Sequence, residues 1–170
     1  MRKENILIAL LLLSVIFIAG CTANQTGMIK PENQSMNKTG NMVSKESSYA
    51  GTILAGSSSP LLAFNKEDYD KAINTNKTVI LYFYANWCPI CREEFPQMKE
   101  AFGELKTDKV VGFRVNFNDD QTYDNERNLA RQFGVPYQHT KVFLQNKQSI
   151  LKSTESWNKQ RYLDEINKVI

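Results

Sequence analysis

The stretch FYANWCPICREEFP, Phe83 to Pro96, holds two of the chain's three cysteines, Cys88 and Cys91, separated by a proline and an isoleucine and preceded by Trp87. Metal coordination, a structural crosslink and thiol–disulfide exchange all use Cys-x-x-Cys. A structural zinc needs four ligands, commonly two such pairs or one pair with two histidines. This chain offers one pair and a single histidine, His139. A crosslink across so tight a loop removes little chain entropy. Exchange is the favoured reading, with a thiophilic metal site on Cys88, Cys91 and His139 as the alternative. A redox-inactive adaptor is a third reading, opposed by the intact pair.

Exchange requires a nucleophile and a resolver, and the neighbouring elements must place them. TVILYFYA, residues 78–85, is a β-branched and aromatic run expected to form a central strand buried on both faces. Phe95, Met98 and Phe102 recur at helical spacing and predict a helix from the cysteines to about Leu105. Cys88 then lies where strand gives way to helix. Unpaired N–H groups at a helix start carry partial positive charge and favour thiolate, the attacking form. Pro89 suits the first turn, where its missing N–H costs nothing. Cys91, one turn on, can attack a mixed disulfide made by Cys88.

The other elements follow from similar signals. Asn65 is a candidate cap for a helix through Tyr69 and Ile73, and VVGFRVNF (110–117) reads as a second buried strand. Residues 124–133 read as a helix ending at Gly134. TKVFLQ and QSILKS flank Asn146-Lys147 as a hairpin, and Ser156 is expected to cap a last helix with Leu163, Ile166 and Ile170 facing inward. The order is α/β, with a central mixed β-sheet flanked by helices, in one domain over 51–170.

The N-terminus is of another kind. Arg2 and Lys3 precede the apolar run Ile6–Ile18, then Ala19, Gly20 and Cys21. The run is shorter than the ~20 residues of a bilayer span and suits an export signal. IAGC resembles a lipobox, with Ile where Leu is usual, so residues 1–21 are expected to be a lipoprotein signal with Cys21 as the lipidated residue. Residues 22–50, rich in Asn, Ser and Thr, read as a flexible tether. The expected location is extracytoplasmic, anchored to the cell membrane through lipid on Cys21. With 23% charged residues and a formal net charge of +3, the chain is not expected to bind nucleic acid.

FYANWCPIC followed by Pro96 resembles the thioredoxin family, whose site is W-C-x-x-C with a proline five residues after the second cysteine. CREEFP is similar to the C-x-x-E-x-P pattern of membrane-attached TlpA-like members. The resemblance spans about residues 66–170. It implies a thioredoxin fold, no bound cofactor, Cys88 as nucleophile and Cys91 as resolving cysteine. It also implies protein substrates carrying disulfides or dithiols, and an upstream membrane redox partner. Trp87 matches the tryptophan that shields the disulfide and helps dock partners. Glu94 matches a glutamate that can relay a proton to Cys91 if buried; otherwise it is an exposed helix charge. Where many members carry a buried Asp, this chain has Tyr82, a poor substitute base.

The family also places a cis-proline before the hairpin, facing the cysteines. Pro136 in FGVPYQHT is one candidate; the ungapped match instead puts His139 in the proline's place and Thr140 at the family threonine. The second register is favoured. Pro89, Ile90, Tyr137, His139 and Thr140 are then expected around the dithiol, with Trp87, Tyr137 and Thr140 lining the docking surface. The TlpA-like resemblance tilts the expected direction towards reduction.

Overall fold

A computed structural model of the protein describes residues 49–170. The expected lipoprotein signal, Cys21 and the expected tether through residue 48 lie outside the described residues. Among the described residues, no helix is long and apolar enough to cross a membrane.

The central strand β3 (Thr78–Tyr84) shows how the sequence builds the sheet. Successive side chains of a strand point to opposite faces, and here both faces are covered. Val79, Leu81 and Phe83 pack into one core cluster, whereas Ile80 and Tyr82 pack into another. The first core is closed by Tyr69 and Ala72 of α1 (Lys66–Ile73) and by Leu129 and Ala130 of α3 (Asp124–Gln132). The second is closed by Met98, Ala101 and Phe102 of α2 (Pro89–Glu104) and by Tyr162 and Ile166 of α4 (Lys159–Asn167).

Six strands form the sheet in the order β1-β2-β4-β3-β5-β6. The strand β4 (Val110–Asn116) runs parallel to β3, and β5 (Lys141–Gln145) runs antiparallel on its other side. The expected hairpin joins β5 to β6 (Gln148–Ser153) through Asn146 and Lys147, both at positive φ as a tight hairpin turn requires. Two short strands, β1 (Ile53–Ala55) and β2 (Leu61–Ala63), extend the sheet beyond β4 and were not expected from the sequence. The expected mixed sheet flanked by helices is the observed architecture.

Several helix ends follow their local chemistry. Asn65 accepts from the Glu67 and Asp68 N–H groups at the start of α1. At the end of α3, Gly134 sits at φ +56° while its N–H reaches Arg131 O and the Val135 N–H reaches Ala130 O, a left-handed stop that glycine adopts freely. Two expectations for the last helix are corrected. Asn158 rather than Ser156 is the cap, its side chain accepting from the Arg161 N–H at 2.9 Å. Ile170 is exposed, and inward packing comes from Tyr162 and Ile166, with Leu163 half-buried.

Gly112 on β4 lets α2 approach the sheet. A Cβ there would lie 2.5 Å from Phe102 Cζ and 2.8 Å from Leu61 Cδ1. The ring end of Phe102 cannot fold away without leaving the core. Gly112→Ala should therefore destabilise the domain by about 1–3 kcal/mol, read as a lower urea midpoint at unchanged slope.

Candidate active site

The site forms where three chain segments meet at the C-terminal end of β3. After Tyr84 the chain passes through Ala85, Asn86 and Trp87 into α2, with Cys88 as the N-cap residue and Pro89 in the first turn. Cys88 Sγ accepts the Cys91 N–H at 3.2 Å, so the first sulfur caps the helix that carries the second. The β4–α3 loop braces this turn. Asp119 accepts from the Asn86 N–H at 3.0 Å, Asp120 from the Asn86 amide at 2.6 Å, and the Asn118 carbonyl from Trp87 Nε1 at 3.1 Å.

The third segment is the turn before β5, positioned by the β3–β5 ladder. Tyr82 pairs with Lys141, and the next bonds outward tie Phe83 N–H to Thr140 O at 2.9 Å and His139 N–H to Phe83 O at 2.6 Å. This register carries His139 to the cysteines: a ring nitrogen and both sulfurs all lie within 4.8 Å of one another. Pro136 lies three residues earlier on the exposed part of the turn. His139 sits at φ +52°, a left-handed conformation in which histidine is enriched among non-glycine residues and which proline cannot adopt.

The surface around the dithiol is apolar and open. Trp87 is 51% exposed, and Ile90 and Tyr137 are also exposed; the Tyr137 ring meets the His139 ring at 5.2 Å. Thr140 differs from its expected place on this surface. It is fully buried, donates its hydroxyl to Tyr137 O at 2.7 Å and has its carbonyl engaged by Phe83, so it shapes the turn instead. Both thiols are enclosed, Cys88 at 1% exposure and Cys91 at 0%.

Beneath Cys91 lies a polar cluster that the sequence disclosed only in part. Glu94, 1% exposed, is no surface charge. Its Oε1 accepts from Lys141 Nζ at 2.7 Å, Tyr162 Oη at 2.7 Å and the Trp157 N–H at 3.1 Å, and its Oε2 accepts from Tyr82 Oη at 3.2 Å. Lys141 is itself fully buried and also donates to Glu155 O. Sequence reasoning missed Lys141; a lysine opening a strand that must be buried on both faces was the available signal, because such a cation needs an acid partner.

The electrostatics follow from this burial. The Cys91 thiol is pushed up from 9.0 to about 11, first by burial and then by its hydrogen bond with Cys88, while an Ala85 backbone hydrogen bond and the Tyr82 hydroxyl pull it back. Burial also raises Tyr82, with Glu94 and Cys91 adding to the effect. Lys141 is lowered by burial, opposed by Glu94. His139 is lowered by burial and by Lys141, with Glu94 and a backbone hydrogen bond to Thr154 acting in the other direction.

Comparison with known proteins fits this geometry. The thioredoxin family model matches residues 60–168, more than half of the chain. The chain belongs to the thioredoxin family. Among curated relatives, this family member is similar to probable nucleoredoxin 3 of Oryza sativa subsp. japonica, 36% identical over 70 residues covering 39% of this chain and 15% of that protein. It is also similar to thioredoxin H4 of Arabidopsis thaliana, 34% identical over 75 residues covering 44% of this chain and 57% of that one. The matches thus span well under two thirds of these relatives. The thioredoxin of Aeropyrum pernix shares the fold, with TM-score 0.54 and 17% identity over 71% of this chain and 94% of that one.

Two predictions follow for this thioredoxin-family site. Glu94→Gln and Lys141→Met should each cost about 3–5 kcal/mol, because each leaves a buried charge unpaired. The paired Glu94→Leu/Lys141→Met change should cost less than the sum of Glu94→Leu and Lys141→Met, in a urea double-mutant cycle. Additive losses would show that the two charges do not interact. For Cys91, the reduced fold keeps a proton that an unfolded thiol has lost between pH 9.0 and about 11. Reduced-state stability is therefore lost as pH rises through that window, a loss the disulfide form lacks. The ¹³C shift of Cys91 Cβ in metal-free reduced protein should titrate near the upper value; a midpoint at 9 or below would contradict control by burial.

Proposed function

We propose that this protein is a membrane-tethered, extracytoplasmic thiol–disulfide oxidoreductase that reduces protein disulfides. The observation that carries the chemistry is the pairing of Cys88, as N-cap of α2, with Cys91, one turn on and adjacent to its sulfur. The family assignment supports the same activity, and so do relatives named as disulfide isomerases, such as protein disulfide isomerase-like 2-3 of Oryza sativa subsp. japonica. Tethering rests on the basic start, apolar run and IAGC ending of residues 1–21, and the reducing direction on the CREEFP pattern.

In this reading Cys88 thiolate attacks a substrate disulfide, forming a mixed disulfide and expelling one substrate thiolate, which takes up a proton. Cys91 then attacks Cys88 Sγ, closing the Cys88–Cys91 bond and releasing the second substrate thiolate. Cys91 must lose its proton for that step. Its path runs through Tyr82: the hydroxyl takes the sulfur's proton as it passes its own to Glu94, so no free tyrosinate forms. Trp87, Ile90 and Tyr137 offer the apolar surface for the partner. With Cys88 enclosed, the Tyr137–His139 turn has to yield for the attack. An upstream membrane redox partner returns the pair to the dithiol.

The test is the reduction potential of the metal-free protein equilibrated in glutathione buffers. A value near ~−270 mV supports a reductase, and one near ~−120 mV makes the protein a disulfide donor instead. In the reducing case, Cys91→Ser should accumulate mixed disulfides with protein partners and Cys88→Ser should accumulate none. If no Cys88–Cys91 disulfide forms under any poise, the oxidoreductase reading fails.

A further inference from the structure

His139 brings a third donor to the dithiol, and one of its ring nitrogens is left unpartnered. Nδ1 is buried without a hydrogen-bond partner. A neutral imidazole carries a lone pair on one ring nitrogen, the group that a metal-ligating histidine offers. An orphan buried acceptor also costs free energy that a cation would recover. Within 4.8 Å of one another lie two sulfurs and this ring, close enough for one ion to touch all three.

We propose that Cys88, Cys91 and His139 form a binding site for a soft, thiophilic monovalent cation of the Cu(I) class, open only in the dithiol state. Two thiolates and an imidazole are the donor types that select Cu(I) and Zn(II). Zinc in a protein site takes four ligands; among the described residues only three gather here, and the Glu94 carboxylate below is already committed to Lys141, Tyr82, Tyr162 and the Trp157 N–H. The thiols are also enclosed, at 1% and 0% exposure, which disfavours a coordinated water. Cu(I) is satisfied by three soft donors. The residual negative charge of a Cu(I) bis-thiolate would face the N-terminus of α2, whose Cys91 N–H already points at Cys88 Sγ.

Binding exchanges the two thiol protons for one cation. When the liganded pair passes two electrons to a substrate disulfide, the Cys88–Cys91 bond forms, the substrate S–S bond breaks, the cation is released to solvent, and two protons from water join the substrate sulfurs. The ion and the disulfide thus exclude each other. The proposal rests on the same dithiol as the oxidoreductase reading, but the two fail separately. Disulfide turnover by metal-free wild-type protein tests that reading, whereas copper affinity tests this one.

The experiment is titration of the purified reduced chain with Cu(I) in competition with a chromophoric Cu(I) chelator, repeated on the disulfide form. The variant His139→Asn keeps a residue that tolerates positive φ while removing the imidazole; circular dichroism checks its fold, and Cys88→Ser provides a second variant lacking a sulfur. One Cu(I) per reduced chain, none on the disulfide form, at least tenfold weaker binding by His139→Asn and loss in Cys88→Ser are the expected results. A nitrogen neighbour should appear in the X-ray absorption spectrum of the wild type and vanish in His139→Asn. Equal affinity of wild type and His139→Asn would reduce the site to an ordinary dithiol and overturn the proposal. Retention of Zn(II) against an excess of Cu(I) would overturn the three-coordinate assignment.

Discussion

The ion pair between Glu94 and Lys141 is the constraint around which this domain is arranged. Both side chains are fully out of water, and a buried charge is tolerated only when paired and hydrogen-bonded. Glu94 meets that demand with four donors drawn from separate parts of the chain: Lys141 on β5, Tyr82 on β3, Tyr162 on α4 and the Trp157 N–H in the loop before α4. Each of these elements must be in place before the carboxylate is satisfied. The pair therefore fixes how α2, and the cysteines at its start, sit over the sheet. Stability gained from the pair itself is small, because desolvation offsets most of the attraction. Its value lies in the arrangement it enforces.

The same pair sets the electrostatic background of the dithiol. A neutral Glu–Lys unit beneath Cys91 adds little net charge, so burial dominates and the thiol is held well above its ordinary range. Tyr82 stands between the sulfur and the carboxylate. It has one hydroxyl proton and two acceptors, and its own ionisation is pushed out of reach by burial and by both neighbours. Such a group cannot serve as a base, yet it can hand a proton along. A thiol kept protonated until its neighbour needs it suits a resolving cysteine: premature thiolate would compete for substrate, whereas a relay releases the sulfur when the mixed disulfide has formed.

What the sequence made legible, and what it hid, divides along the range of the interaction. β3 was readable as an almost unbroken apolar run of seven residues, and α2 because its apolar residues recur at helical spacing over sixteen. The Asn146-Lys147 turn and the Gly134 stop were readable because local backbone chemistry decides them. β1 and β2, at three residues each, are too short to show a period and exist because β4 offers an edge. The start of α4 was misplaced by two residues since Ser156 and Asn158 are both competent caps; Glu94 binding the Trp157 N–H sets where the chain can turn into helix, and that contact spans 63 residues. Lys141 was easily passed over for a related reason. A lysine in an apolar strand reads as an edge charge until its acid, 47 residues away, is placed beside it. His139 was accessible through the ungapped match to the family pattern, although its positive φ and its unpartnered nitrogen were not.

In the register that puts His139 in the family's proline place, the exchange changes more than the ring. Proline has no N–H to give and a fixed negative φ, so the bond from His139 N–H to Phe83 O and the left-handed turn at φ +52° belong to a differently built loop. That loop closes over the sulfurs and carries an imidazole with it. Enclosure slows the approach of a large substrate, which must move the turn. A proline ring would fill the same space with carbon and offer no lone pair. The identity of this one residue therefore shapes the loop that covers the dithiol. The Glu94–Lys141 pair bears on the same point from below, since Lys141 lies two residues after His139 and anchors the strand that the loop enters. Loosening that anchor should reach the thiols through the backbone before it reaches them through charge.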